Sequence, residues 1–185
     1  MFIVPTAIPD VKIVEPKVFG DKRGYFMETW TLREFRQAGI AADFVQDNES
    51  SSNRGVLRGL HFQAGASSQA KLVRVVHGAV FDVAVDIRRA SPTFGQWVGE
   101  ILTGENKRQL FIPRGFALGF LCLEDGTVFT YRCDNYYDPA SERGIRYDDP
   151  AIGIDWPFHL VADIPLNLSP RDGHHPALAD CDALF

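Results

Sequence analysis

The chain has 185 residues, of which 45% are hydrophobic and 23% are charged, and its formal net charge is −5. This length and composition predict one globular domain over 1–185 and exclude a disordered chain. The negative charge argues against a general nucleic-acid binder, which needs clustered cations, and the absence of a run of about 18 apolar residues argues against a membrane span.

The cysteines and the N-terminus indicate the compartment. Cys122, Cys133 and Cys181 are odd in number and lack a compact disulfide spacing, which is typical of a reducing environment. Residues 1–16 have neither a basic start nor a long apolar run, so they do not match a signal peptide. We therefore expect a cytoplasmic protein.

One helix is predicted near the N-terminus. Thr31 is followed three residues later by Glu34, which is the pattern of a capping box. Gly39 stands where such a helix would end. These residues predict a short helix over 31–38.

Most of the remaining chain alternates as short strands do. In 80–88 the aliphatic and charged residues fall on opposite faces, with Val83, Val85 and Ile87 on one and Asp82, Asp86 and Arg88 on the other. Further strands are predicted at 56–63, 71–76, 99–102, 109–112, 120–123 and 128–133. This spacing predicts an all-β sandwich, barrel or jelly roll, over which the proline-rich stretch from Asp163 should wrap as a loop.

The segment 56–63 holds the densest cluster of chemically useful residues. Strict alternation would point His61 and Gln63 to one side and Arg58 to the other. An imidazole, with an unperturbed pKa of about 6.5, can accept a proton at cellular pH. Lys71, as a cation beside a carbonyl, and Tyr131, as a proton donor, would complete a set suited to enolate chemistry. A surface histidine, a solvated lysine and a packed tyrosine are the structural alternatives.

Arginines and tyrosines elsewhere are compatible with a nucleotide ligand. Arg23, Arg58 and Arg171 could hold a diphosphate, because a guanidinium matches paired oxyanions. Tyr136 or Tyr137 could stack on a base. Surface charge and ordinary core packing are the competing interpretations of these residues.

A metal site is the alternative to enolate chemistry, because small β-barrels often bind a metal ion. Two histidines two residues apart on a strand are common ligands, but position 63 is Gln, so His61 lacks that partner. His174 and His175 are adjacent and would point to opposite sides of a strand. We therefore predict no metal site.

Several motifs that follow one another along the chain together resemble a known family, although no single residue would show this. The sequence resembles the dTDP-4-dehydrorhamnose 3,5-epimerase family over nearly the whole chain. The matching segments are 17–24 (KVFGDKRG), 44–48 (FVQDN), 56–63 (VLRGLHFQ), 81–88 (FDVAVDIR), 91–97 (SPTFGQW), 105–110 (ENKRQL) and 152–157 (IGIDWP). The resemblance implies a cupin-like jelly roll, a homodimer, no metal or organic cofactor, and epimerisation of dTDP-4-dehydro-6-deoxy-D-glucose at carbons 3 and 5 to dTDP-4-dehydro-L-rhamnose.

The same resemblance implies roles for individual residues. His61 would be the base, oriented by Asp172, while Lys71 would stabilise the enolate. Tyr131 would be the acid, and Tyr137 would stack on thymine. The positions that would contact substrate are Arg23, Phe26, Glu28, Gln46, Asp47, Asn48, Arg58, Lys71, Leu118, Tyr137, Glu142 and Arg171.

One departure from the family lies in 115–120. The family reads Gly-Phe-Ala-His-Gly-Phe, whereas this chain has Leu118 in place of the histidine. A polar partner of that imidazole would be left unpaired, at a cost of about 1–3 kcal/mol, or about 5- to 150-fold in rate or affinity. We therefore expect normal nucleotide binding with slow turnover or altered preference between the carbons. The alternatives are an epimerase of one carbon and a non-catalytic nucleotide-sugar binder.

Overall fold

The computed structural model describes residues 1–182 and 184–185. In this part of the chain the strands are β1 (Phe2–Pro5), β2 (Lys12–Glu15), β3 (Val18–Asp21), β4 (Gly24–Met27), β5 (Gln46–Ser52), β6 (Leu57–Gln63), β7 (Lys71–His77), β8 (Ala79–Asp86), β9 (Trp97–Thr103), β10 (Gln109–Ile112), β11 (Phe116–Cys122), β12 (Thr127–Cys133) and β13 (Glu142–Gly144). The helix α1 spans Leu32–Gln37. Short 3₁₀ turns cover Gly65–Ser67, Pro139–Ser141, Phe158–Val161, Asp172–His174 and Leu178–Asp180.

Two antiparallel sheets face each other. One has the order β1-β2-β10-β7-β12-β5 and the other the order β13-β6-β11-β8-β9, while β3 and β4 form a separate hairpin. Neighbours such as β5 and β12 are distant in sequence, so the chain crosses repeatedly between the sheets. The predicted all-β jelly roll is confirmed.

The space between the sheets is filled by aliphatic and aromatic side chains. Leu110, Val73 and Val80 are fully buried there. Phe120 of one sheet and Phe129 of the other stack with ring centroids 4.5 Å apart. Burying such side chains contributes about 1.5–3 kcal/mol each, so this layer holds the sheets together.

A second apolar layer covers the outer face of the five-stranded sheet. Val83, Val85 and Ile87 point into it, which confirms the predicted alternation. The C-terminal part of the chain supplies the cover, including Trp156 and Leu178. As predicted, the stretch from Asp163 wraps back over the body, although it contains two 3₁₀ turns among its described residues. The helix α1 packs Phe35 against the outer face of the other sheet.

Several local predictions differ from the structure. The Thr31 side chain makes no capping hydrogen bond, and the Glu34 carboxylate instead lies 3.4 Å from the Met1 amino group. The strand predicted at 120–123 begins earlier, at Phe116. The strand β5 was not predicted, because its sequence QDNESSS has no apolar residues to mark an alternation.

Two further observations concern the helices and the cysteines. Among the described residues, none of the helices combines the length and hydrophobicity that a membrane crossing requires. Cys122, Cys133 and Cys181 are buried, and in the described part of the chain they are free thiols.

Candidate active site

A cavity of about 350 Å³ opens between the two sheets. The side chains around it come from five strands and the connections between them, which places residues distant in sequence in one space. The residues that line it are Gln46, Asn48, His61, Phe62, Gln63, Gln69, Lys71, Tyr131, Cys133, Tyr137 and Glu142. Its size and mixed lining suit a small ligand.

A bulge in β6 brings Arg58 onto the same face as His61. His61 pairs with Leu118 and Arg58 with Phe120, so three steps along β6 match two along β11. Gly59 permits the bulge, because a Cβ there would lie 2.5 Å from the Gly119 Cα. The prediction that Arg58 would face away from His61 is therefore wrong.

His61 and Asp172 form a hydrogen-bonded dyad. The His61 Nε2 lies 2.5 Å from the Asp172 Oδ1, and the Ser169 hydroxyl donates to the other carboxylate oxygen at 2.8 Å. Burial alone would raise the pKa of Asp172, but the hydrogen bonds and the neighbouring histidines lower it to about 2. The carboxylate therefore stays charged and accepts the proton of Nε2, which leaves the His61 Nδ1 as the basic nitrogen.

Lys71 and Tyr131 are diagonal neighbours on the adjacent strands β7 and β12. The Lys71 Nζ is 5.6 Å from the centroid of the Tyr131 ring. Burial lowers the pKa of Lys71, an effect that Cys133, Asp82 and Glu142 partly offset. Burial also raises the pKa of Tyr131, so its phenol keeps its proton at neutral pH.

Three polar side chains are linked at the mouth of the cavity. The Tyr137 hydroxyl donates to the Glu142 carboxylate at 2.7 Å, and the Arg171 guanidinium donates to the same oxygen at 2.6 Å. Burial would raise the pKa of Glu142, but these two bonds lower it. We call Tyr137, Glu142 and Arg171 the cavity mouth. It holds a cation and an exposed aromatic ring next to the dyad.

Asp82 is a buried carboxyl group beneath the cavity that the sequence analysis did not include in the site. Its side chain is 0% exposed, and neither oxygen has a hydrogen-bond partner among the described residues. Burial raises its pKa well above the usual range, against the opposing charge of Lys71. We call Lys71, Asp82, Tyr131 and Cys133 the cavity floor. The signal for Asp82 was its position on the charged face of 80–88, which lies inside the molecule.

Leu118 is a diagonal neighbour of Asp82. Asp82 pairs with Phe120 and Ala84 pairs with Leu118 on adjacent strands, so all four side chains share the inner face. Leu118 is buried in the layer between the sheets and does not line the cavity. An imidazole at this position could reach the Asp82 carboxyl, whereas leucine offers it no hydrogen bond.

His175 also reaches the dyad, which was not predicted. It follows the Asp172–His174 turn, and its ring packs edge to face on that of His61 with centroids 5.4 Å apart. His174 points away, and its Nδ1 lies 2.6 Å from the Pro170 carbonyl. Their opposite directions match the prediction, but a 3₁₀ turn produces them where a strand was assumed.

Seven predicted contact residues are absent from the cavity lining. Leu118 is described above, and Arg58 and Arg171 lie beside the cavity, whereas the other four lie farther away. Arg23 and Phe26 are exposed on the β3–β4 hairpin, and the exposed Glu28 follows it. Asp47 points to the opposite face of β5 from Gln46 and Asn48, and pairs with Arg132 at 3.4 Å. The structure therefore does not bring these four to the dyad of their own chain.

Four lining residues were not predicted as site residues, namely Phe62, Gln63, Gln69 and Cys133. The Gln63 side chain accepts a hydrogen bond from the Asp138 N–H, and the Gln69 amide donates to the Asn135 carbonyl. Both glutamines thus position the loops beside the cavity. Only alternation with His61 and Tyr131 could have indicated Gln63 and Cys133.

Comparison with known proteins agrees with this arrangement. A family model described as dTDP-4-dehydrorhamnose 3,5-epimerase matches residues 5–180. The dTDP-4-dehydrorhamnose 3,5-epimerase of Salmonella typhimurium is 55% identical over 179 residues, which cover 96% of each chain. The Escherichia coli enzyme of the same name is 53% identical, over 93% of this chain and 91% of its own.

A solved structure also has a closely similar fold. The crystal structure of dTDP-6-deoxy-D-glucose-3,5-epimerase from Legionella pneumophila, in complex with dTDP-4-keto-L-rhamnose, superposes with a TM-score of 0.93. It is 51% identical, and the match covers 98% of this chain and 95% of that one. The cupin-like character of the fold is thereby confirmed. On sequence and structure, the chain belongs to the dTDP-4-dehydrorhamnose 3,5-epimerase family.

Proposed function

We propose that the chain epimerises dTDP-4-dehydro-6-deoxy-D-glucose at carbons 3 and 5, giving dTDP-4-dehydro-L-rhamnose. The observation that carries the proposal is the His61–Asp172 dyad, which faces the same cavity as Lys71 and Tyr131. A base, a buried cation and a protonated phenol are the groups that enolate chemistry needs. We treat 1–185 as one domain, because both sheets contribute side chains to this one cavity.

The C–H bonds at carbons 3 and 5 both flank the ketone at carbon 4, so one site can serve both. The His61 Nδ1 takes the proton, and the electron pair of the C–H bond moves onto the ketone oxygen. The Lys71 ammonium group stabilises the resulting enolate. Burial disfavours the charged form of Lys71, and the negative charge of the enolate favours it. Tyr131 or water returns a proton to the opposite face of the carbon, which inverts its configuration.

The cavity mouth and the neighbouring arginine suit the nucleotide. Arg171 and Arg58 can hold the diphosphate, and the exposed Tyr137 can stack on thymine. Arg58 lies on the same face of β6 as His61, and its Nη2 donates to the Ser52 hydroxyl at 3.1 Å. The side-chain carbonyl oxygen of Gln46 accepts a hydrogen bond from the Tyr137 N–H at 3.0 Å. This bond keeps Gln46 next to Tyr137, where it can bind the sugar or the base.

We further propose that the protein is a homodimer in which each chain completes the site of the other. The support is the β3–β4 hairpin, which carries Arg23 and Phe26 but lies away from its own cavity. Val18, Phe19, Tyr25 and Phe26 are all more than 40% exposed on this hairpin, which is unusual for a cluster of apolar residues. A second copy of the chain would cover it.

Mixed dimers test this arrangement. His61→Ala and Arg23→Ala chains, each weakly active alone, should regain activity when unfolded together and refolded, since one of the two sites then has both residues. Sedimentation of the wild-type protein should give twice the mass of one chain. A monomeric protein, or a mixture no more active than its components, would contradict the proposal.

The cellular compartment is a separate part of the proposal. We place the protein in the cytoplasm, because three buried free thiols are typical of a reducing compartment. A reporter fusion whose fluorescence requires the cytoplasm, compared with one that requires export, would test this placement.

The decisive experiment follows solvent exchange. The protein is incubated with dTDP-4-dehydro-6-deoxy-D-glucose in deuterated water, and the sugar protons are monitored by NMR. Deuterium at both carbons together with the rhamno product is expected. Exchange at one carbon would identify a single-carbon epimerase, and tight nucleotide binding without exchange would identify a binding protein.

A further inference from the structure

His175 is a partly buried group at the dyad that the epimerase mechanism does not use. Its side chain is 11% exposed. The ring is enclosed by β13, where a Cβ on Gly144 would lie 2.4 Å from its Cε1 and Nε2 atoms. Only glycine at position 144 therefore leaves room for this imidazole in its present place.

Two imidazole nitrogens converge on one carboxylate oxygen. The Asp172 Oδ1 lies 2.5 Å from the His61 Nε2 and 3.5 Å from the His175 Nε2. The Ser169 hydroxyl occupies the other oxygen of Asp172. The His175 Nε2 is shielded from solvent and has no hydrogen-bond partner within the described part of the chain. The Nε2 lone pair or proton of His175 is therefore not used by any hydrogen bond to these residues.

The dimensions of this cluster suit a metal ion. The three ligand atoms lie within 4.8 Å of one another. A tetrahedral zinc ion with bonds of about 2.0–2.2 Å places its ligand atoms about 3.4 Å apart, so side-chain shifts of about 1 Å complete the geometry. Two imidazoles and one carboxylate are a donor set that zinc prefers. Arg171, the cation next to Asp172 in the chain, is already paired with Glu142 at 2.6 Å.

We propose that His61, Asp172 and His175 bind a divalent transition-metal ion of the zinc class, and that the bound ion inhibits the epimerase. A neutral imidazole that coordinates through Nε2 carries its single proton on Nδ1. The nitrogen of His61 that faces the sugar then has no lone pair, and it cannot take the substrate proton. The ion also replaces the hydrogen bond between His61 and Asp172.

Calorimetric titration of the metal-stripped full chain with zinc sulfate tests the site without reference to activity. Wild type should bind one ion per chain, and His175→Ala should weaken binding at least tenfold, because loss of an outer-shell partner alone costs about 10–100-fold. His174→Ala is the matched control and should bind as wild type does. His175→Gln is a second variant, which keeps polarity at the site should the alanine variant fold poorly. Equal affinity in wild type and both His175 variants would overturn the site.

The inhibitory part rests on the proposed function and has its own measurement. Zinc should suppress solvent exchange in wild type, and EDTA should restore it. The zinc concentration that halves the rate should be at least tenfold higher in His175→Ala, where the rate is expressed relative to that variant's own uninhibited rate. Undiminished exchange in a zinc-saturated wild type would overturn the inhibition. If the metal-free protein showed no exchange at all, the proposed function would fail, and calorimetry would still decide the metal site.

Discussion

The cavity floor and the His61–Asp172 dyad each hold a buried carboxyl group, with opposite results. On the floor, burial is the largest influence, and it raises the pKa of Tyr131 and Asp82, raises that of Cys133 to about 11 and lowers that of Lys71. At the dyad, burial acts in the same sense on Asp172, yet its bonding partners lower the pKa to about 2. The floor therefore favours neutral groups, and the dyad keeps a fixed negative charge.

The difference teaches that burial alone does not decide the charge state of a carboxyl group, because bonding partners can outweigh it. Asp172 has Ser169 and two histidines beside it, whereas neither oxygen of Asp82 has a hydrogen-bond partner among the residues described. A buried carboxyl without donors protonates, and one with donors ionises. The dyad is thus suited to removing a proton and the floor to supplying one.

Removing the base should have the largest effect. His61→Ala is expected to lower solvent exchange by about 10²- to 10⁴-fold, because general-base catalysis contributes that much. Nucleotide binding, measured by calorimetry with dTDP, should persist since the cavity mouth is unchanged. The control is His174→Ala, whose ring is exposed and bonded to Pro170. Retained turnover in the His61 variant would reject this residue as the base.

Removing the phenol should separate the two proton transfers. Tyr131→Phe is expected to reduce formation of epimerised product about 100-fold while reducing proton loss less, because the ring remains and only the donor is missing. NMR in deuterated water measures both processes in one sample. Equal losses would assign the returning proton to another group.

Giving Asp82 a partner should make the floor resemble the dyad. Leu118→His is expected to raise turnover about 5- to 150-fold, which corresponds to the cost of an unpaired buried polar group. The carbon-13 shift of the Asp82 carboxyl should report a lowered pKa, since the imidazole donates to its ionised form.

Two variants control for packing at this position. Leu118→Met conserves volume without a donor and should leave the rate unchanged. Leu118→His combined with Asp82→Asn should lose the gain. A gain of the same size in the double variant would show that the histidine acts without Asp82.

Acid should weaken the dyad at a predictable pH. The pKa of Asp172 is about 2 in the folded chain, below the value of about 3.9 expected when unfolded. Its stabilisation, on the order of 2 kcal/mol, is therefore present above about pH 4 and is lost as the pH falls toward 2. Urea unfolding of wild type and Asp172→Asn at pH 6 and pH 2.5 measures this. A stability difference between them that does not change with pH would contradict it.

The sequence by itself determined the all-β architecture and several faces of its strands. Alternation in 80–88 identified Val83, Val85 and Ile87 as one buried face, because a strand repeats every two residues whatever surrounds it. The predicted strand 109–112 coincides with β10. The resemblance, carried by motifs along the whole chain, supplied His61, Lys71, Tyr131 and Asp172 as a set. Inferences from local pattern and motif order do not require the contacts between distant residues to be known.

Only the tertiary structure decided which of these residues meet, and in what state. The bulge in β6 turns Arg58 toward His61, and its cause lies on β11 in the close approach of Gly119. Asp82, on the charged face of 80–88, is buried without a hydrogen-bond partner among the residues that the structure describes, because the second sheet covers that face. His175 reaches His61 from a turn more than a hundred residues later in the chain. Contacts between distant segments depend on packing, and sequence periodicity carries no information about that packing.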